Sequence, residues 1–224
     1  MKKIKFLALF LSASLIFGSC GTTSNTVRGG AIGAGSGAAL GAIIGGIAGK
    51  GKGALIGAAI GTAVGGTAGV VIGRKMDKNA AAAAKIDGAN VEKITDSNGL
   101  SAVKVTFESG ILFGFNSSTL SAKSKQSLSD FAGILKSDPT IDIAIIGHTD
   151  KVGSYEANQT VSARRAKAVG NYLQICGVSP SQFKSVQGVG YDQYDNTMTA
   201  DQNRRVEIYM YASEQMIKNA EAGK

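Results

Sequence analysis

Every fourth residue from Gly29 to Gly73 is glycine, twelve in strict register, and 17 of the chain's 31 glycines fall within that run. Proline occurs twice and the period is four rather than three, so a collagen triple helix is excluded. A hydrophobic content of 44% excludes general disorder. Residues 31–48 and 54–73 carry no charge until Arg74, and Gly49-Lys50-Gly51-Lys52-Gly53 separates them, which predicts a helical hairpin with a cationic tip. A glycine in a water-exposed helix costs about 1 kcal/mol relative to alanine, so a dozen in register need a compensating contact. Small residues four apart supply one by letting two backbones approach closely. A period longer than 3.6 makes the stripe drift around each helix and favours a right-handed crossing. At ~1.5 Å per residue the stretches span about 27 and 30 Å, near the thickness of a bilayer's hydrocarbon layer.

Two functional readings of this run stay open: a hairpin that enters or lies on a membrane or self-associates, and a packed Ala/Gly hairpin that never meets lipid. Alanine and glycine contribute little hydrophobic drive to decide between them. A phosphate loop is rejected. Gly46 to Lys52 fits G-x-x-x-x-G-K, but Gly53 stands where Ser or Thr must hold the magnesium, and no strand precedes it. The run, with Lys52-Gly53-Ala54-Leu55-Ile56-Gly57-Ala58-Ala59 in it, resembles the glycine-zipper domains of bacterial envelope lipoproteins.

The chain starts with Lys2, Lys3 and Lys5, continues with an apolar run over residues 6–17, and reaches Cys20 through Gly18 and Ser19. This is the pattern of a secretory signal peptide over residues 1–19, too short to span a bilayer. Phe17-Gly18-Ser19-Cys20 resembles the lipobox of bacterial lipoproteins, although leucine is commoner where Phe17 stands. The resemblance implies acylation of Cys20, palmitate included. Ordinary cleavage near Ser19 or Cys20 is the alternative. With Cys20 acylated, Cys176 has no disulfide partner and reads as a small core residue.

The net charge of +8 invites a nucleic-acid partner, but its distribution argues otherwise. Residues 1–19 hold +3, residues 20–96 hold +4, and residues 97–224 hold 13 basic against 12 acidic groups. The C-terminal half has no basic face interleaved with aromatics, so nucleic acid is excluded as a partner. Arg28, Arg74, Lys75 and Lys78 flank apolar stretches, where an acidic lipid surface is the natural counterpart.

From Val91 the texture changes to β-branched residues. Asn98-Gly99 divides strands at 91–95 and 101–107 as a hairpin. A short strand is expected at 111–113, a helix at 121–137 with Leu128, Phe131 and Leu135 on one face, a strand at 141–147, a helix at 160–175, and strands at 183–188 and 205–211. This order predicts an α/β (α+β) two-layer sandwich, with helices on one face of a mixed sheet.

Five blocks of this half resemble the OmpA-like peptidoglycan-binding domain, in family order and spacing: Ile111-Leu112-Phe113-Gly114-Phe115-Asn116-Ser117 with Leu120; Ile145-Ile146-Gly147-His148-Thr149-Asp150 with Gly153; Asn158 through Val161-Ser162 to Arg165-Ala166; Gly188-Val189-Gly190; and Asn203-Arg204-Arg205-Val206-Glu207-Ile208. Val161 departs from the commoner leucine. The ligand that the resemblance implies is the stem peptide's diamino acid, whose side chain ends in an ammonium and a carboxylate on one carbon. The resemblance assigns the ammonium to Asp150 and the carboxylate to the planar fork of Arg165. It gives Thr149, Asn158 and Asn116 hydrogen-bonding or pocket-shaping roles, and closes the site with Arg204 or Arg205, the first being nearer. Taken singly, Asp150 could cap its loop and Arg165 could be a solvated helix charge. His148 is the only histidine, and with no second histidine, cysteine pair or nucleophile motif beside it, neither a metal site nor a hydrolase is expected, and no cofactor.

The expected organisation is a signal peptide (1–19), a lipidated linker (20–28), the glycine-zipper hairpin (29–78), a linker (79–96), the OmpA-like domain (97–212) and a tail (213–224). The whole resembles the small OmpA-family lipoproteins of Gram-negative outer membranes. That implies a non-enzymatic protein, anchored in lipid through Cys20 and facing the periplasm, that tethers the outer membrane to peptidoglycan. Residues 21–23 follow Cys20 without an acidic residue, which by the same resemblance favours the outer membrane. In the alternative function the glycine run is primary, as a membrane-associated module or a homo-oligomer, and the wall domain positions it.

Overall fold

A computed structural model describes residues 66–96, 99–114 and 117–223. The signal peptide, Cys20, the glycine run before Gly66, Asn98 and the candidate ligand residue Asn116 lie outside the described residues. The elements are α1 (Thr67–Ala83), β1 (Ala89–Thr95), β2 (Ser101–Glu108), a single-turn α2 (Ser109–Leu112), α3 (Ala122–Ser137), β3 (Ile141–Gly147), α4 (Tyr155–Ile175), β4 (Phe183–Gly188), a single-turn α5 (Ala200–Asn203), β5 (Arg205–Ala212) and α6 (Glu214–Glu221).

The strands form one sheet in the order β1-β2-β5-β3-β4, antiparallel except for the parallel β3–β4 pair. Register places Val91, Val105, Ile208, Ile145 and Val186 in one row across it. Alternation then decides the faces. Val103, Val105 and Phe107 on β2, Ile141, Ile143 and Ile145 on β3, and Val206, Ile208 and Met210 on β5 all enter the main core. The helices meet them there, through Ile72 and Met76 of α1, Leu128, Phe131 and Leu135 of α3, Val169 and Leu173 of α4, and Met216 and Ile217 of α6. Phe107 and Phe131 join sheet to helix edge-to-face at 6.3 Å. A smaller cluster, Ala144, Ile146, Val189 and Tyr209, occupies the opposite face. The architecture is thus the expected mixed sheet with its helices on one side.

Several elements differ in extent from the sequence expectation. Residues 111–113 were expected to be a strand, but the chain turns helical over Ser109–Leu112, and only Phe113 makes a bridge, to Leu120. The reason is local: the Ser124 hydroxyl donates to the carbonyls of Ile111 and Leu112, and Ser121 N–H also donates to Leu112, so these groups are satisfied without a strand partner. α4 begins at Tyr155, five residues earlier than expected, because the Ser154 side chain caps it by accepting from Ala157 N–H.

Residues 79–96, expected to link, carry the end of α1 and all of β1. α1 runs through residue 78, where the hairpin was expected to end. Ala68, Ile72, Met76 and Ala80 keep the four-residue period one position out of phase with Gly69 and Gly73, and all four are buried in the main core. The expected tail likewise holds α6, capped by Ser213 and buried through Met216, Ile217 and Ala220. Among the described residues no helix is long and apolar enough to cross a membrane.

Candidate functional site

The candidate residues converge where β3 ends beside the start of β5 and α4 passes over the ends of β3 and β4. Backbone bonds fix that corner: His148 N–H donates to Arg205 O at 2.9 Å, Thr149 N–H to Gly190 O at 2.8 Å, and Val189 N–H to Gly147 O at 3.0 Å. α4 lies directly on the strand ends. A Cβ on Gly147 would stand 2.2 Å from Ser162 O, and one on Gly188 2.0 Å from Ala163 N, so neither strand end tolerates a side chain. This contact holds Arg165, one turn further along α4, over the end of β3.

Asp150 follows β3 and is 9% exposed. Its Oδ1 accepts from Val152 N–H at 3.0 Å, and its Oδ2 pairs with the Arg204 guanidinium. The same guanidinium also contacts Asp201. Arg165, 8% exposed, donates through Nε to Ser117 O at 3.1 Å and rests its guanidinium 5.4 Å from the centre of the Phe113 ring. Among the described residues Arg165 forms no ion pair. Burial and then the neighbouring Arg204 push its pKa below the ordinary guanidinium value, while Asp150 acts in the opposite sense. Asp150 therefore lies between two guanidinium groups, of which Arg204 is also paired with Asp201 and Arg165 is not. A ligand that brings a carboxylate relieves the repulsion between the arginines, and one that brings an ammonium beside it finds the Asp150 oxygens.

The other candidates take different positions. Asn158 is buried, and its side-chain N–H groups donate to Val152 O at 2.9 Å and Ser154 O at 3.0 Å, so it shapes the loop that follows Asp150. Thr149 is buried too, with its hydroxyl unpartnered among the described residues. Arg204 and Arg205 diverge: Arg204 reaches Asp150, whereas buried Arg205 turns to the open face of the sheet and donates through Nε to Glu207 Oε1 at 2.7 Å.

Several contributors were not singled out from the sequence. Asn203 is fully buried and donates to Asp195 O at 2.9 Å and Thr199 O at 3.0 Å, and it accepts from Asp195 N–H at 2.9 Å, which folds the 195–203 loop and delivers Arg204. Glu207 gathers Arg205, the Tyr209 hydroxyl at 2.6 Å and His148, whose Nε2 stands 3.2 Å away but off hydrogen-bonding alignment. Burial raises the Glu207 carboxyl, and this is outweighed by His148, Arg205 and Tyr209, which hold it well below the usual range. Burial pushes the His148 pKa down, while Glu207 acts in the opposite sense. The alternation of β5 signals that Glu207 faces away from the core, but not that it is buried there. No group of three metal-ligating side chains occurs among the described residues.

Comparison with known proteins matches two separate parts of the chain. The OmpA family model matches residues 112–208, and a YMGG-like Gly-zipper model matches residues 1–77. The peptidoglycan-associated lipoprotein of Pseudomonas aeruginosa is 33% identical over 140 residues, covering 59% of this chain and 77% of that protein. The peptidoglycan-associated lipoprotein of Legionella pneumophila is 36% identical over 109 residues, covering 46% of this chain and 60% of that protein. Among solved structures, a MotB-like protein from Desulfovibrio vulgaris shares the fold, with a TM-score of 0.52 at 20% identity over 62% of this chain and 92% of that one.

Proposed function

The chain belongs to the OmpA family, and on that premise we propose that it binds peptidoglycan non-covalently through the diamino acid of the stem peptide and tethers the outer membrane to the wall. The observation that carries this reading is the convergence of Asp150, Arg165 and Arg204 from three separate elements onto one partly buried corner. In the bound state the ligand ammonium replaces or joins Arg204 at Asp150 Oδ2. Its carboxylate takes the Nη groups of Arg165, whose Nε is already committed to Ser117 O. Thr149, Asn158 and Asn116 shape the pocket, and Arg204 closes it. The reaction is binding alone, with no catalytic step.

Co-sedimentation with purified sacculi tests the assignment. A charge-assisted hydrogen bond is worth ~1.5–3 kcal/mol, so Asp150→Ala and Arg165→Ala should each weaken binding by about tenfold or more. Pellets as rich in either variant as in the parent would refute the site.

The anchor belongs to the same proposal: acylated Cys20 holds the chain in the outer membrane, with the wall-binding domain in the periplasm. Metabolic labelling with a palmitate analogue should mark the parent and leave Cys20→Ser unlabelled. The separate Gly-zipper match supports a second reading, in which the glycine run makes the protein a membrane-associated or self-assembling module. Crosslinking with and without residues 29–65 distinguishes them, and the deletion stops at 65 because Ala68 and Ile72 belong to the core. An identical monomer band from both chains would exclude assembly through the run.

A further inference from the structure

Beside the Asp150 corner the surface turns aromatic. Val152 is 79% exposed and Tyr155, the first residue of α4, is 46% exposed. Tyr155 meets half-buried Tyr191 edge-to-face, with ring centres 5.7 Å apart. Its hydroxyl donates to Asp192 Oδ2 at 3.2 Å, and Gln159 Nε2 donates to the same oxygen at 3.0 Å and to Val189 O at 3.1 Å. These residues sit on two stretches that leave the site directly: Val152 N–H is bound by Asp150 itself, and the 191–195 turn follows Gly190, which accepts from Thr149 N–H. The ledge is thus built rather than incidental, with the Tyr155 ring oriented by a carboxylate it shares with Gln159, and the main core and the proposed zwitterion pocket use none of it.

We propose that this ledge is a second contact of the same site, for the pyranose rings of the glycan strand to which the stem peptide is joined. The inference rests on the stem-peptide reading of the Asp150 corner. A pyranose presents a C–H face and a rim of hydroxyl and acetamido groups. It therefore needs a flat aromatic surface with hydrogen-bonding groups at its edge, which Tyr155 with Asp192 and Gln159 supplies. Continuity fixes the occupant. A stem peptide of a few residues, at ~3.5 Å each, carries the sugar about 10 Å from the diamino acid, and the ledge begins two residues beyond Asp150. Holding Tyr155 through Asp192 also lowers the rotamer entropy lost on stacking.

The test uses the mature full-length protein and two probes, a disaccharide-linked stem peptide and the same peptide without sugar, titrated in parallel by calorimetry. The parent should bind the disaccharide form more tightly. Tyr155→Ala should lose about 3–10-fold on that probe and stay unchanged on the bare peptide. Tyr155→Phe, which keeps the ring, should stay within about twofold of the parent on both. Equal parental affinity for the two probes, or equal loss on both in Tyr155→Ala, would overturn the ledge. Undiminished peptide binding by Asp150→Ala would instead overturn the pocket assignment beneath it.

Discussion

Asp142 and Glu207 are carboxylates on the same open face of the sheet, both nearly buried, and their surroundings drive them in opposite directions. Glu207 has Arg205 and the Tyr209 hydroxyl within hydrogen-bond reach and is held charged. Among the described residues Asp142 has a single cationic partner, Lys184 at 3.4 Å, and burial prevails, raising its pKa to about 6. Because this folded value lies above the unfolded value of ~3.9, the Asp142 contribution to stability is fully present below about pH 4 and is lost as the pH rises through 6. Asp142→Asn should therefore stabilise the domain by about 1–2 kcal/mol at pH 7.5 and by nearly nothing at pH 3.5, read as urea midpoints at the two pH values. Arg165 gives a second expectation at this scale. Lysine keeps the charge but loses both the Nε bond to Ser117 O and the broad guanidinium face presented to the Phe113 ring. Arg165→Lys should thus bind sacculi about as poorly as Arg165→Ala while melting within a few degrees of the parent. Sedimentation equal to the parent would show that charge alone suffices.

At the scale of elements, the contact of α4 with β3 and β4 controls the site. Gly147 and Gly188 allow the helix backbone to rest on the strand ends, with Arg165 carried above. Gly188→Ala must push Ser162 and Ala163 away from β4 and should cost about 3 kcal/mol or more, seen as a fall in Tm together with loss of sacculus binding. An unchanged Tm would mean that the helix is free to shift. Strands at 141–147 and 183–188 were legible from alternation and β-branched residues, and both glycines could be tied to the site by motif. Their function as a seat for a helix was not, since close approach is a property of two distant segments. The short helix at Ser109–Leu112 was hidden for a related reason: three apolar residues read as a strand until the Ser124 hydroxyl is found on their carbonyls. Asn203 belonged to a recognised block, yet its loop-folding bonds depend on a buried position that spacing along the chain does not reveal.

For the molecule as a whole, the packed core reaches into the stretch where two periodicities overlap. Glycine every fourth residue marks one face through Gly73, while Ala68, Ile72, Met76 and Ala80 mark another that continues to Ala83, and the glycine pattern masks the start of the second. Only packing separates them, because a stripe of alanine and isoleucine inside a glycine run has the same composition whether it faces a second zipper helix or a sheet. α1 lies against β2 and α6, so the OmpA-like domain extends towards the glycine run, with regular structure over residues 79–83 and 89–95. Truncating a buried isoleucine or methionine to alanine costs ~2–5 kcal/mol, and deletion of α1 removes Ile72 and Met76 together. A domain beginning at Gly66 should therefore unfold in one cooperative transition and bind sacculi, whereas one beginning at Gly88 should lose most of its stability or fail to fold. Calorimetry of the two fragments checks this. Equal melting temperatures would make α1 a passenger on the domain and move the boundary to Gly88, with β1 still inside it.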